Sequence, residues 1–425
     1  MTGLIIFGSL LIGMFMGLPV CFALLAACLI YLIPSGIPLT IVPQTMIAGM
    51  NSFVLLAIPL FTMTGYLMEQ TSLSRRLVDF VEALFCRSRG SMGVVTIVTC
   101  AIFAALTGSG PATVAAIGAI MMPALTRANY PKSTSAGMIA AGGALGPIIP
   151  PSANMVVYGA AMGLSVSKMF IGGVLPGIMM AVALCLVNVY LAAKYKFAKS
   201  DVRYPKKEVL RRTARAIPTL VLPVIILGGI YGGIFTPTEA AAVSVIYSII
   251  VGCVIYRELD LKKLIQCTKN ACETTASILI VIGCAAGFSK VLTLGRIPTT
   301  VASAMMSLTD SKIVILLLIN VLLLIVGCFM ETLCAIMILA PILYPVVTAM
   351  GVDVTHFGII MVVNLAIGFI TPPLGVNLFV ATRVGETTLD TVIKGIIPFL
   401  ILMIVTLLCI TYIPAISMFL PNLMG

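Results

Sequence analysis

Gly146-Pro147-Ile148-Ile149-Pro150-Pro151-Ser152-Ala153-Asn154 lies near the centre of an apolar run from Ser133 to Ser167, and its three prolines decide how the chain is read. Each proline removes a backbone donor and leaves a carbonyl without its helical partner. One proline would give a plain kink; Pro-Pro followed by Ser and Asn exceeds that requirement. In lipid, freed backbone groups persist only where they face protein, water or an ion. The stretch therefore predicts a helix broken around a polar site within a membrane.

The same device recurs. The run after Lys312 is interrupted at Gly327-Cys328-Phe329-Met330-Glu331-Thr332, and the next at Gly368-Phe369-Ile370-Thr371-Pro372-Pro373-Leu374-Gly375-Val376-Asn377. Their counterparts in the first half are Thr107-Gly108-Ser109-Gly110-Pro111 and the opening stretch. Met122-Pro123-Ala124-Leu125 matches Ala340-Pro341-Ile342-Leu343 as well. A repeat of interrupted apolar segments is a sequence pointer to the midplane site of a transporter. Inverted topology is compatible with this spacing, which leaves the handedness open. The repeat elements span about 91–167 and 313–384.

Composition supplies the solvent. Of 425 residues, 60% are hydrophobic and 9% charged, with a mean hydropathy of +1.19, against about 25% charged in a soluble domain. At roughly 20 residues per crossing the length accommodates about ten to twelve spans and no separate soluble domain. Residues 1–425 read as one integral membrane unit, all-α, since strand-like alternation is absent. The apolar run Gly3 to Ile33 is too long and wrongly flanked for a cleaved signal peptide and reads as the first span. Ser91 to Thr126 contains no charge over 36 residues, nearly twice one span. Arg87 and Arg89 flank one end, Arg127 and Lys132 the other, so both ends belong on one face and the run turns back at Gly108 to Pro111.

The net charge is +11, but the basic residues sit in short breaks between apolar runs. The densest, at about 194–216, holds Lys194, Lys196, Lys199, Arg203, Lys206, Lys207, Arg211, Arg212 and Arg215, relieved by Asp201 and Glu208. The positive-inside rule makes this loop cytoplasmic, so no nucleic-acid partner is expected. Twelve scattered cysteines without a Cys-x-x-Cys pair read as small packing residues. His356, the single histidine, lies beside Asp353 without a second His or Cys cluster, which argues against a metal-ligand role. Thr236-Pro237-Thr238-Glu239 marks a helix start with a capping box, which accounts for Glu239.

At the interrupted segments the chain resembles the large membrane subunit of tripartite ATP-independent periplasmic (TRAP) transporters, the DctM-like family. The likeness covers essentially the whole length. Its most specific pieces are residues 108–118, Gly146 to Ser152, Pro237-Thr238-Glu239-Ala240-Ala241-Ala242, and Gly368 with Thr371-Pro372-Pro373. The resemblance implies a bacterial inner-membrane permease of about eleven crossings plus two re-entrant hairpins, with a scaffold and a mobile elevator domain. It implies two partners, a small four-helix membrane subunit and a periplasmic binding protein that delivers an organic acid. A sodium gradient would drive uptake without an organic cofactor or ATP, and no Gly-x-x-x-x-Gly-Lys-Ser/Thr loop occurs.

The family pattern implies one sodium ion between each hairpin tip and its neighbouring broken helix. The matching positions are Thr107, Ser109, Gly146, Ile149 and Pro151 in the first repeat, and Gly327, Gly368, Thr371 and Leu374 in the second. Many would act through backbone carbonyls. Asn154 and Asn377, just beyond each Pro-Pro pair, are candidates for substrate contact or for stabilising the break. Glu331 is an ionisable residue inside the otherwise apolar stretch Ile313 to Val352 and is a candidate for the cavity or for capping the break. Arg383 is either a carboxylate attractor or an interfacial anchor.

Other classes fit less well. Gly108-Ser109-Gly110 is superficially like a serine nucleophile loop, yet the histidine is remote in sequence and no intramembrane aspartate pair accompanies it. A channel would need a selectivity filter that is not seen. A stand-alone sodium/dicarboxylate symporter is the runner-up, because it shares hairpins and broken helices but needs no binding protein.

Overall fold

The first apolar run does not form one span. It folds as α1 (Thr2–Phe15) and α2 (Val20–Ser35), which pack against each other. Gly17 takes a left-handed φ of 82° between them, a conformation that favours glycine, and Pro19 disfavours helical backbone at the residue before it. The structure, a computed structural model, describes residues 2–85, 90–197 and 204–424. Arg87 and Arg89, and Lys199, Asp201 and Arg203 of the basic segment, lie outside the described residues.

α3 (Ile41–Met50) and α4 (Ala57–Glu69) follow, joined by a 3-10 turn at Phe53–Leu56 and bent by 58°. Leu73, Leu77, Val78 and Val81 form the buried stripe of amphipathic α5 (Leu73–Phe85). The long uncharged run breaks where expected, into α6 (Ser91–Thr107) and α7 (Gly110–Arg127), with Gly108 at a φ of 61°. The opening motif separates α8 (Lys132–Gly143) from α9 (Ala153–Met162), and α10 (Val166–Lys194) completes the first half.

The basic segment is not all loop: α11 (Lys206–Tyr231) begins inside it. Helix forms there because Glu208 in the first turn pairs with Arg211 at 2.7 Å and Arg212 at 3.2 Å. α12 (Pro237–Ile250) carries the expected capping box: the Thr236 amide donates to Glu239 Oε2 at 2.8 Å and the Glu239 amide to Thr236 Oγ1 at 3.3 Å. A π turn at Val251–Ile255 leads towards α13 (Leu261–Leu294) and α14 (Ile297–Leu308). The second interrupted set is α15 (Lys312–Phe329), α16 (Thr332–Ala349), α17 (Val354–Gly368) and α18 (Val376–Val384), followed by α19 (Leu389–Tyr412) and α20 (Ala415–Leu423).

Among the described residues there is no strand, and seven helices are long and apolar enough to cross a bilayer; the bent α3–α4 pair adds an eighth. Ile313, Leu317, Leu318, Val321 and Ile325 of α15 stay exposed, a face suited to lipid. α17, apolar apart from Thr355, His356 and Asn364, is buried from Thr355 to Gly368 and enclosed by α10, α15, α16 and α19.

Contacts sort the helices into two bodies. α1 to α4 pack with α11 to α14, whereas α6 to α10 pack with α15 to α20. They meet chiefly where α16 lies on α13 and α14, and where α6 and α9 lie on α4. The second body holds a buried polar chain: Asn364 Nδ2 donates to Asn320 Oδ1 at 2.8 Å, Asn320 Nδ2 to Thr411 Oγ1 at 3.1 Å, and His356 lies 2.6 Å from Ser417 Oγ and 3.2 Å from the Thr411 carbonyl. His356 is thus a structural residue.

The strap α5 bridges the bodies, packing on α11 of the first and α6 of the second, and polar contacts tie it to the first. Glu258, ahead of α13, accepts from the Ser72 amide and hydroxyl, both at 2.6 Å, and from Arg76 at 2.9 Å. Burial raises the pKa of Glu258, but these donors outweigh it and hold the group below the usual carboxylate range. Arg212 of α11 reaches Glu82 of α5 at 3.0 Å.

Candidate functional site

Backbone meets backbone at both breaks because glycine is there. A side-chain carbon on Gly146 would stand 2.6 Å from the Ser109 carbonyl carbon and 2.7 Å from the Gly110 amide; one on Gly108 would stand 2.7 Å from the Pro151 oxygen. In the second repeat a carbon on Gly368 would stand 2.5 Å from the Gly327 carbonyl carbon. Each tip therefore rests directly on its neighbouring broken segment. Pro150-Pro151 and Pro372-Pro373 are both cis.

These junctions gather hard oxygens. Among the described residues, the carbonyls of Gly146, Ile149, Pro150 and Pro151 accept no hydrogen bond. Thr107 Oγ1 accepts from the Ser109 amide at 3.4 Å and lies 3.4 Å from Thr113 Oγ1, while Ser109 Oγ caps α7 through the Ala112 amide. Thr371 Oγ1 donates to the Ile367 carbonyl at 2.8 Å and retains lone pairs. Such neutral carbonyl and hydroxyl oxygens suit a hard monovalent cation. Ile149 turns its side chain to Gly177 of α10, and Leu374 is 49% exposed, so either could offer an ion only its backbone oxygen. Among the described residues no group of three His, Cys, Asp or Glu is arranged for a metal.

The amino ends of α7, α9, α16 and α18 converge on one cavity of about 470 Å³. Gly110, Pro111 and Ala112 line it from α7, Ala153 and Asn154 from α9, Leu333 from α16 and Val376 from α18. Among the described residues the amides of Gly110, Ala153 and Asn154 donate to no protein group. Open amides at a helix start favour an anion. The opposite wall comes from the other body: Thr62, Gly65, Tyr66 and Glu69 of α4, with Thr274 and Ile278 of α13.

The expected site residues divide. Thr107, Ser109, Asn154 and Glu331 line the cavity. Glu331 caps α16 as well: its Oε2 accepts the Leu333 amide at 3.0 Å and the Cys334 amide at 3.2 Å. Asn377 is fully buried elsewhere, reaching from the second repeat into the first to donate to the Ala140 carbonyl at 3.3 Å. It lies against Gly110 and Gly143 and clamps the repeats together. Arg383 is exposed in the last turn of α18 and does not line the cavity. Sequence reasoning missed Tyr66, Glu69 and Thr274. Glu69 carried a signal, an acid directly after the apolar run 52–68; the other two carried none, since their 2.9 Å hydrogen bond joins residues 208 positions apart.

Comparison with known proteins places this architecture. The chain is 45% identical over 98% of its length to the isethionate TRAP transporter permease protein DctMQ of Oleidesulfovibrio alaskensis, of which it covers 66%. It is 43% identical to the C4-dicarboxylate TRAP transporter large permease protein DctM of Pseudomonas aeruginosa, covering 88% of this chain and 87% of that one. With the sialic acid TRAP transporter large permease protein SiaM of Vibrio cholerae it shares 34% identity over 96% of each. The fold is similar to that of the Alcanivorax borkumensis YdaH transporter, with a TM-score of 0.65 at 16% identity over 87% of this chain and 86% of that one. The family model described as the DctM component of the tripartite ATP-independent periplasmic transporter matches residues 7–416. Four broken helices around one cavity, on a chain matched almost end to end, make this protein a member of that family, a multi-pass permease of the bacterial inner membrane and not an enzyme.

Proposed function

We propose that this chain is the large, translocating subunit of a TRAP transporter that couples uptake of an organic acid to sodium. The observation that carries this reading is the convergence of four broken helices, with open amides and free carbonyls, on one cavity between two bodies. Amides at the starts of α7 and α9 hold the acid's carboxylate, helped by Asn154. Sodium ions, as cargo, take the carbonyl and hydroxyl oxygens of Thr107, Ser109, Gly146, Ile149 and Pro151 at one junction. At the other they take those of Gly327, Gly368, Thr371 and Leu374. Bound cation beside bound anion lowers the cost of carrying either through a low-dielectric barrier.

Movement follows from the two bodies. The second body, α6 to α10 with α15 to α20, travels as an elevator against the first, carrying the site. The helices amount to about eleven crossings and two re-entrant pairs, α6–α7 and α15–α16. A periplasmic binding protein delivers the acid, and a small four-helix membrane subunit docks on the first body. The cargo class, a C4-dicarboxylate or a sialic-acid-like carboxylate, follows the relatives' names.

The test is organic-acid uptake into proteoliposomes under an imposed sodium gradient. The chain alone, with the small subunit, and with the binding protein added are compared. Uptake that needs both sodium and the binding protein is expected. Sodium-driven uptake by the chain alone would favour a stand-alone symporter, and flux without a gradient would overturn coupling altogether.

A further inference from the structure

The cavity is charged unevenly, and from this we infer that its preferred cargo is a singly charged acid bearing hydroxyl groups at the end away from the carboxylate, read by Glu69, rather than a dicarboxylate. The inference rests on the cavity being the transport site, as proposed above.

One wall accepts an anion. The amides of Gly110, Ala153 and Asn154 are unpartnered there. The α16 end does not share this role, because Glu331 already occupies the Leu333 and Cys334 amides. The facing wall offers acceptors. Glu69, at the last turn of α4, lines the cavity with neither an ion-pair nor a hydrogen-bond partner among the described residues. Beside it the Tyr66 hydroxyl is engaged with Thr274 Oγ1 at 2.9 Å.

No lysine, arginine or histidine is among the lining residues. Of the proposed sodium positions, Thr107 and Ser109 line the cavity beside the α7 amides, at the carboxylate end, and the others do not line it. A ligand whose carboxylate sits on the α7 and α9 amides presents its far end to Glu69. A second carboxylate there would meet a like charge with no cationic side chain to offset it. A hydroxyl there would donate a charge-assisted hydrogen bond to Glu69. The contrast between the two walls thus selects against the dianion and for the hydroxy acid.

The test titrates the purified full chain, at fixed sodium and pH 7.5, with threonate and with succinate, four-carbon acids that differ in having hydroxyls or a second carboxylate. Ligand-induced rise in unfolding temperature is the readout. Half-saturation by threonate is expected at a concentration about tenfold or more below that for succinate. Glu69→Gln should narrow the ratio to about threefold, and Glu69→Asp should retain most of it. Succinate binding as tightly as threonate to the natural chain would overturn the inference without any variant, while leaving the transport reading intact. An unchanged ratio in a folded Glu69→Gln would overturn the role of Glu69. If no carboxylate, sialic acid included, shifts unfolding at any sodium concentration, the transport reading fails and this inference with it.

Discussion

Gly146 and Gly368 hold equivalent places, and neither leaves room for a side chain between two backbones. Alanine at either must push a tip off its broken segment, since the obstructing atoms are main chain. We expect Gly146→Ala and Gly368→Ala each to cost about 1–3 kcal/mol of stability. Each should also lower sodium-driven uptake about tenfold or more, whereas Gly8→Ala, with nothing within 4 Å of the added carbon, should leave uptake unchanged. Glu258 gives a second test. Its folded pKa lies below the ordinary 4.5, so its stabilising effect is present above that value and is lost as pH falls through the folded one. Glu258→Gln should therefore destabilise by up to about 1 kcal/mol at pH 7, a difference that shrinks as thermal unfolding is followed down past pH 4.5.

At the scale of elements, the breaks were legible because proline and glycine act locally. Gly108, the Pro150-Pro151 pair and the Pro372-Pro373 pair each lie at a helix end. The division of α1 from α2 could be overlooked because leucine and methionine around Gly17 keep hydropathy high across a left-handed turn. The start of α11 was hidden for the opposite reason, a charge density that suggested loop until Glu208 met two arginines. α15 and α17 are held by Asn320 and Asn364, 44 residues apart. Asn364→Leu should remove that bond and lower stability by about 0.5–1.5 kcal/mol, measured by unfolding in detergent. A neutral effect would mean that apolar packing alone sets the register of the two helices.

For the whole molecule, charge predicts orientation and contacts define the two bodies. The excess of basic residues from Lys194 to Arg215 predicts a cytoplasmic face for this segment. A cysteine placed at Lys207 should react with a membrane-impermeant maleimide in inside-out vesicles and not in intact cells; labelling from outside would reverse the topology. The partition into two bodies could not be read from hydropathy, since helices of both are equally apolar along the chain. It emerged from which faces pack together, with α4, α13 and α14 forming the wall against which α6, α9 and α16 rest.

The sequence by itself determined the solvent, the helical class, the interrupted repeat and the residues at each break, because composition, proline chemistry and glycine freedom are properties of single positions and short spacings. Asn154 and Glu331 were found this way, Thr107 and Ser109 through the family resemblance, and all four line one cavity. Only the tertiary structure decided that Asn377 clamps the repeats, that Arg383 stays outside, and that Tyr66, Glu69 and Thr274 supply the opposite wall. Those assignments depend on which helix faces which between segments remote in sequence, and no local spacing encodes that choice.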